Sequence, residues 1–296
     1  MWPPKWTGCS SEIPGATAPA LPRLNEQGGP MYRNWMEISA AGYSKTDVQQ
    51  TVAVLPTAAI EQHGPHLPVG TDSLIATGML SEVAKSPPEV ARLRVLPVQT
   101  VGKSNEHVWA RGTISLSAET ALRAWTEIGE SIARSGVRKL IIANSHGGNL
   151  DLVSIVAREL RVRCGMLVVK CQWNSFGHPE GMYSAHERRF GIHGGDVETS
   201  LMLHFRPELV DMSQAENFAS TAESDPVPPT GAISYGWAAC DLSPHGVVGN
   251  AAAASAAKGR ATARHQAKGF SALADTVSGM RLDRFTPAAA PKQETN

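Results

Sequence analysis

TVAVLPTAAIEQHGPHLPVGTD, residues 51–72, starts as an apolar run and ends with Glu61, His63, His66 and Asp72 gathered into a short polar stretch. Residues 51–56 are too few for a helix and suit a buried strand. Gly64, Pro65, Pro68 and Gly70 then exclude a helix over 60–70, because proline lacks a backbone donor and glycine favours turns. Four side chains able to bind a metal therefore sit on an irregular loop that leaves a strand directly.

Working outward, the same alternation continues. Residues 73–85 read as a helix, and LRVLPVQTVG (93–102) as a second strand. Leu122, Trp125, Ile128 and Ile132 recur at helical spacing, with Ser117 as N-cap, Glu119 in the first turn and Gly136 at the stop. RKLIIAN (138–144) is a third strand and GMLVVKC (165–171) a fourth. Helices are expected over 149–163, 196–205 and 251–279. Strands alternating with helices predict an α/β fold: a mostly parallel sheet sandwiched by helices on both faces. Residues 1–30, rich in Pro, Gly and Ser, read as an extended or disordered arm. Residues 31–282 read as one domain and 283–296 as a flexible tail.

Composition narrows the function. The 296 residues carry 27 Lys+Arg and 27 Asp+Glu, a formal net charge of zero. That balance gives no footprint for nucleic acid or for a membrane surface. No apolar run approaches the roughly 20 residues of a membrane span, and the N-terminus has no apolar signal core. Cys9, Cys164, Cys171 and Cys240 form no C-x-x-C pair, which suits free thiols and a cytoplasmic location.

In open α/β sheets, functional groups gather beyond the carboxyl ends of the strands. The 60–72 loop follows one strand and NSHGGN (144–149) follows another, so both are expected on one rim, with the helix start HGGDVETS (193–200) facing it. Glu61, His63, Asp72 and His146 would then converge. Carboxylate and imidazole ligands without thiolate suit Zn²⁺, Mn²⁺ or Fe²⁺. An aspartate can bridge two ions roughly 3.5–4 Å apart, a pair that activates water and clamps a developing oxyanion. The competing readings are bland ones. A lone loop histidine or aspartate serves solvation or a turn, His193 could be a core or capping histidine, and Glu198 a first-turn charge matched to the helix dipole. SNEHVWARGT (104–113) reads first as a loop packed on the sheet and second as a pocket wall. Residues 177–195 read equally as a binding loop, with Arg188 and Arg189 receiving an anionic group, or as a subunit contact.

EQHGPHLPVGTD, RGTISLS, NSHGGN and HGGDVETS, in this order across roughly residues 50–255, resemble the creatininase (creatinine amidohydrolase) family. The resemblance implies one α/β sandwich domain, assembly into homo-oligomers such as hexamers, and hydrolysis of a C–N amide bond in a small molecule. It implies two divalent ions per chain, Zn²⁺ first and Mn²⁺ or Fe²⁺ as alternatives. On the matching positions, Glu61 and His146 would bind one ion, His63 the other, and Asp72 both. His193 would carry the proton to the leaving nitrogen, and Glu198 would be a ligand or a base. Read from the residues themselves, Trp109, Arg189 and Gly147 are the candidate substrate contacts. The motifs also depart from creatininase itself, which has Tyr and a metal-binding Glu where this chain has Gly147 and Gly148. Arg189 and Phe190 replace its Trp-Asp pair. The Gly-Gly-Asn version resembles the broader family, which includes a formylamino-pyrimidine deformylase and a peptide-trimming member of mycofactocin maturation. Two alternatives stand beside amide hydrolysis: a metal hydrolase of C–C or ester bonds, and a metal-binding protein without turnover.

Overall fold

Five strands pair in parallel in the order β1-β3-β2-β4-β5 in the computed structural model, which describes residues 31–43, 48 and 50–285. They are β1 (Tyr32–Asn34), β2 (Thr51–Thr57), β3 (Arg92–Val95), β4 (Lys139–Asn144) and β5 (Leu167–Gln172). The expected arm over 1–30 and residues 286–296 of the expected tail lie outside the described residues.

β2 and β4 form the centre. Their register sets Val52 beside Lys139, Ala53 beside Leu140, Val54 beside Ile141 and Leu55 beside Ile142. Successive side chains of a strand face opposite ways, so this run builds two cores at once. Val52, Val54 and Ile141 face one core, shared with α1 (Thr71–Lys85), α5 (Asp196–Phe205) and α7 (Ala256–Gly279). Ala53, Leu55, Leu140 and Ile142 face the other, shared with α2 (Ala118–Arg134) and α3 (Leu150–Cys164). The α/β sandwich read from the alternating pattern is the fold observed. Two short helices, α4 (Ala185–Phe190) and α6 (Ala239–Leu242), the two-residue strands β6 (Asn217–Phe218) and β7 (Gly249–Asn250), and several 3-10 turns are the other described elements.

The sequence limits are close for most elements and wrong for two. β3 ends at Val95 rather than running to 102. Pro97 has no donor for a ladder, and the chain rejoins β2 only through the Thr57–Gln99 bridge. The same gap accommodates Pro56 in the central strand. The Pro56 carbonyl accepts from Gln99 N at 2.9 Å, so its nitrogen also faces the β3 side, where the strand has ended. Ser117 caps α2 as read, its side chain accepting from Thr120 N. The C-terminal helix starts at Ala256 rather than 251, after a single turn over Ala251–Ala253. Strand β1 and the short helix α4 inside the 177–195 loop have no counterpart in the sequence reading.

Candidate active site

The carboxyl ends of β2, β3 and β4 lie side by side in a parallel sheet, so the segments leaving them meet at one rim. The 58–70 loop after β2 brings Glu61 and His63, and α1 begins beneath it with Asp72 in its first turn. His146 follows β4 by two residues. From the other side comes the turn 193–195, leading into α5 and Glu198. Gly194 takes φ +66°, and a Cβ there would stand 3.1 Å from Val247 and 3.4 Å from the His63 carbonyl, so only glycine fits this turn. The Gly194 N–H donates to Glu198 Oε2 at 2.6 Å, which fixes the carboxylate against the helix start.

Four sequence-expected residues converge. His63 Nε2 lies 3.5 Å from Asp72 Oδ1 and 3.7 Å from Glu198 Oε2. His146 Nδ1 lies 3.1 Å from Glu61 Oε1 and 3.3 Å from Asp72 Oδ2. Asp72 thus faces both imidazoles, as a bridging carboxylate would. Glu61, His63, Asp72 and His146 are each 3% exposed or less. The outer nitrogens of the two imidazoles are tied to backbone carbonyls. His63 Nδ1 donates to Glu61 O at 3.1 Å, and His146 Nε2 donates to Lys103 O at 2.9 Å. Each bond fixes a tautomer and turns the remaining lone pair inward.

His193 joins the cluster, its Nδ1 3.6 Å from Glu61 Oε1. Its Nε2 lies 2.7 Å from the Gln62 carbonyl. The Gln62 amide hydrogens go to Gly246 O and to His107 Nδ1, and Gly64 N donates to its Oε1. With those donors committed, His193 Nε2 must be the protonated nitrogen, and Nδ1 faces the centre.

Two residues that sequence reading left in a packing loop belong here as well. His107 is buried, stacks on His193 with ring centroids 4.3 Å apart, and sets Nε2 3.7 Å from Glu61 Oε1. Glu106 Oε1 lies 3.6 Å from His146 Nε2. The signal available in sequence was position: NEH (105–107) follows β3 on the same rim. Ser104, fully buried, donates its hydroxyl to Glu61 Oε2. His66 lies just outside, bonded to Thr199 Oγ1 at 2.9 Å and Gly194 O at 3.1 Å. The expected substrate residues are spread. Gly147 is exposed beside His146 with open space above its Cα. Trp109 is exposed on the turn after His107, and the Arg189 guanidinium stacks over Phe190 at 4.8 Å.

Charge is dense and finely divided. Burial pushes the Glu61 carboxyl up, but the imidazoles of His146, His193 and His107 outweigh it and hold it well below its usual value. Burial disfavours charge on His63, yet the Asp72, Glu198 and Glu61 carboxylates lift it to about 9. His146 is raised well above its usual value against the same burial cost, by Glu61 and Asp72. Burial lowers His107 to about 4 and brings His193 well below its usual range, with the charge of His63 adding to both. Glu198 rises to about 7 through burial, with Asp72 adding to the rise.

The donor set fits divalent ions. His63 Nε2 and Asp72 Oδ2 are buried and have no hydrogen-bond partner. An unpaired buried polar atom costs about 1–3 kcal/mol, so two of them facing one space suit a ligand that pairs both. Donor atoms of Glu61, His63 and Asp72 lie within 4.8 Å of one another, and so do those of His63, His193 and Glu198.

The parallel α/β sandwich thus carries on its carboxyl rim a buried carboxylate–imidazole cluster that could hold a metal ion. The family profile described as creatinine amidohydrolase matches residues 32–274, and the chain belongs to the creatininase family. The mycofactocin precursor peptide peptidase of Mycobacterium ulcerans is 32% identical over 241 residues, covering 79% of this chain and 85% of that one. The creatinine amidohydrolase of Pseudomonas putida is 30% identical over 178 residues, 55% of this chain and 67% of that one. A crystal structure of creatinine amidohydrolase superposes with a TM-score of 0.67 at 25% identity, covering 84% of this chain and 98% of that one. Solved creatininases of this fold include zinc and manganese forms.

Proposed function

We propose that this protein is a metal-dependent amidohydrolase that cleaves a C–N amide bond in a small molecule: a cyclic amide, a formamide or a peptide-like amide. The reading rests first on one observation. His63 Nε2 and Asp72 Oδ2 are buried without partners, at a centre where His63 and His146 both turn a lone pair toward Asp72. In this reading Glu61, His63, Asp72, His146 and Glu198 would hold the divalent ions. Zinc is the first choice by ligand chemistry, with manganese or iron(II) as alternatives. When bound, such ions supply Lewis acidity toward the amide oxygen and make water a nucleophile near neutral pH.

The remaining work falls to the chain's own groups. Neutral His193, with Nε2–H held by the Gln62 carbonyl, offers Nδ1 to take a proton from the attacking water and return it to the departing nitrogen. Gln62 and the stacked His107 keep that ring in place. Gly147, exposed and open above, leaves a path for substrate beside His146, with Trp109 and Arg189 as candidate contacts from the flanking loops.

We assign the protein to the cytoplasm, a reading supported by Cys164, Cys171 and Cys240 being free thiols. A homo-oligomer, such as the hexamer that the family resemblance implies, is part of this reading, with the exposed Val108 and Ile114 as apolar surface for a subunit contact. The domain spans 31–282.

The experiment is a screen of cyclic amides, formamides and short peptide amides against zinc- and manganese-loaded protein, with His193→Ala beside the wild type. The expected result is turnover of one class, reduced about 10²–10⁴-fold in the variant at unchanged metal content. Equal turnover in both proteins would remove His193 from the mechanism.

A further inference from the structure

The turn after β3 reaches the centre with four groups. The Lys103 carbonyl accepts from His146 Nε2, the Ser104 hydroxyl donates to Glu61, and His107 faces Glu61 and stacks on His193. The fourth group, Glu106, has no place in the mechanism above. Its side chain is only 13% exposed, and its carboxylate fills the space over Gly148. A Cβ on Gly148 would collide with Glu106 Oε1 and stand 2.5 Å from His146 Nε2 and 2.6 Å from the Lys103 carbonyl. Backbone and ring atoms cannot all retreat, so position 148 can be side-chain-free or Glu106 can occupy this space, but a side chain at 148 and Glu106 exclude each other.

We propose that Glu106 is a positioning residue for the metal centre: seated in the space that Gly148 leaves open, its carboxylate joins the Lys103 carbonyl in holding the outer nitrogen of His146, so that Nδ1 faces Glu61 and Asp72 as an ion donor. The inference rests on the metal-dependent reading above. His146 Nε2 carries one hydrogen, directed at Lys103 O at 2.9 Å, with Glu106 Oε1 at 3.6 Å on the same side. A carboxylate at the outer N–H of a ligating histidine fixes the ring and strengthens its inner nitrogen as a donor. Lys103 Nζ, hydrogen-bonded to Asn105 Oδ1, lies 3.8 Å from Glu106 Oε2 and adds a nearby positive charge. Donor atoms of Glu61, Glu106 and His146 lie within 4.8 Å of one another, but Glu106 approaches the outer nitrogen of His146 rather than its inner one.

The test is zinc titration of full-length, chelator-stripped protein against a competing fluorescent chelator, on wild type, Glu106→Gln, Glu106→Asp and Gly148→Ala. Melting of each metal-free protein is measured alongside. Glu106→Gln is expected to weaken one of two zinc affinities about 10–100-fold and leave the other unchanged. Glu106→Asp should recover part of the loss. Gly148→Ala should reproduce it, because the methyl evicts Glu106. Co²⁺-loaded Glu106→Gln should show a shifted visible spectrum, which a purely structural role would leave alone. Wild-type affinity at both sites in Glu106→Gln overturns the inference, as does an affinity loss that merely follows a lowered metal-free melting temperature. A wild-type protein that takes no zinc, manganese or iron(II) would instead remove the metal-dependent reading, and the inference with it.

Discussion

At the scale of single residues, protons and metal ions compete for the same atoms. In the metal-free protein, burial opposes charge on His63, but the surrounding carboxylates raise it to about 9. A raised histidine contributes stability that is complete below its unfolded value near 6.5 and disappears as pH rises through the folded value. The metal-free protein is therefore expected to lose stability between about pH 6.5 and 9, measured by urea unfolding across that window. Ion binding must displace the same proton, so zinc affinity should rise with pH over the same interval, measured by competition titration. A flat affinity profile would take His63 Nε2 out of the ligand set. Glu61, His63, Asp72 and His146 were legible in sequence because each lies within a short loop or first turn next to a central strand or helix. Glu106 and His107 were only half legible: their segment reads second as a pocket wall, but nothing in the spacing around Pro97 and Val98 tells how deeply the NEH turn reaches after β3 ends at Val95.

At the scale of elements, the rim turn 193–195 does the finest positioning. It pairs His193 with Val248 through backbone bonds, offers Gly194 N to Glu198, and opens α5. Gly194→Ala imposes a left-handed backbone on a Cβ-bearing residue and crowds Val247, so a loss of about 1–3 kcal/mol is expected from denaturant unfolding. The same change should weaken zinc binding on the His63–Glu198 side, because the Gly194 N–H would no longer hold Glu198 in place. Helix α5 was read to its observed limits, Asp196–Phe205, from its apolar pattern. The turn before it was visible only as two glycines, since the lack of room for a Cβ at Gly194 comes from Val247, more than fifty residues away. The short helix α4 was likewise hidden: Ser184 caps it by accepting from Glu187 N, a signal too local to stand out in a polar loop.

At the scale of the whole molecule, the sheet serves two purposes. Alternating residues of β2 and β4 anchor two cores, one against α1, α5 and α7 and one against α2 and α3. Together with β3, their carboxyl ends present a rigid platform from which three loops carry charge inward, met by the 193–195 turn from the other side. This platform holds a cluster of carboxylates and imidazoles in a buried space, which costs stability unless a counter-charge is present. Ions that bind only the folded chain should return it: at a free concentration 100 times the dissociation constant, each site adds about 2.7 kcal/mol, read as a rise in melting temperature with added zinc. The parallel α/β sandwich was legible from strand–helix alternation alone, while the depth of the charge cluster was not, since burial depends on loops meeting from distant parts of the chain.

The most direct test is metal content per chain, by elemental analysis of protein purified without added metal, with Asp72→Ala as the partner sample. Asp72 faces both His63 and His146, so it serves both ions in this account. About two ions per wild-type chain and none in a folded Asp72→Ala variant is the expected result. A folded wild-type protein that stays metal-free after addition of zinc or manganese, or an Asp72→Ala variant that keeps both ions, would contradict it.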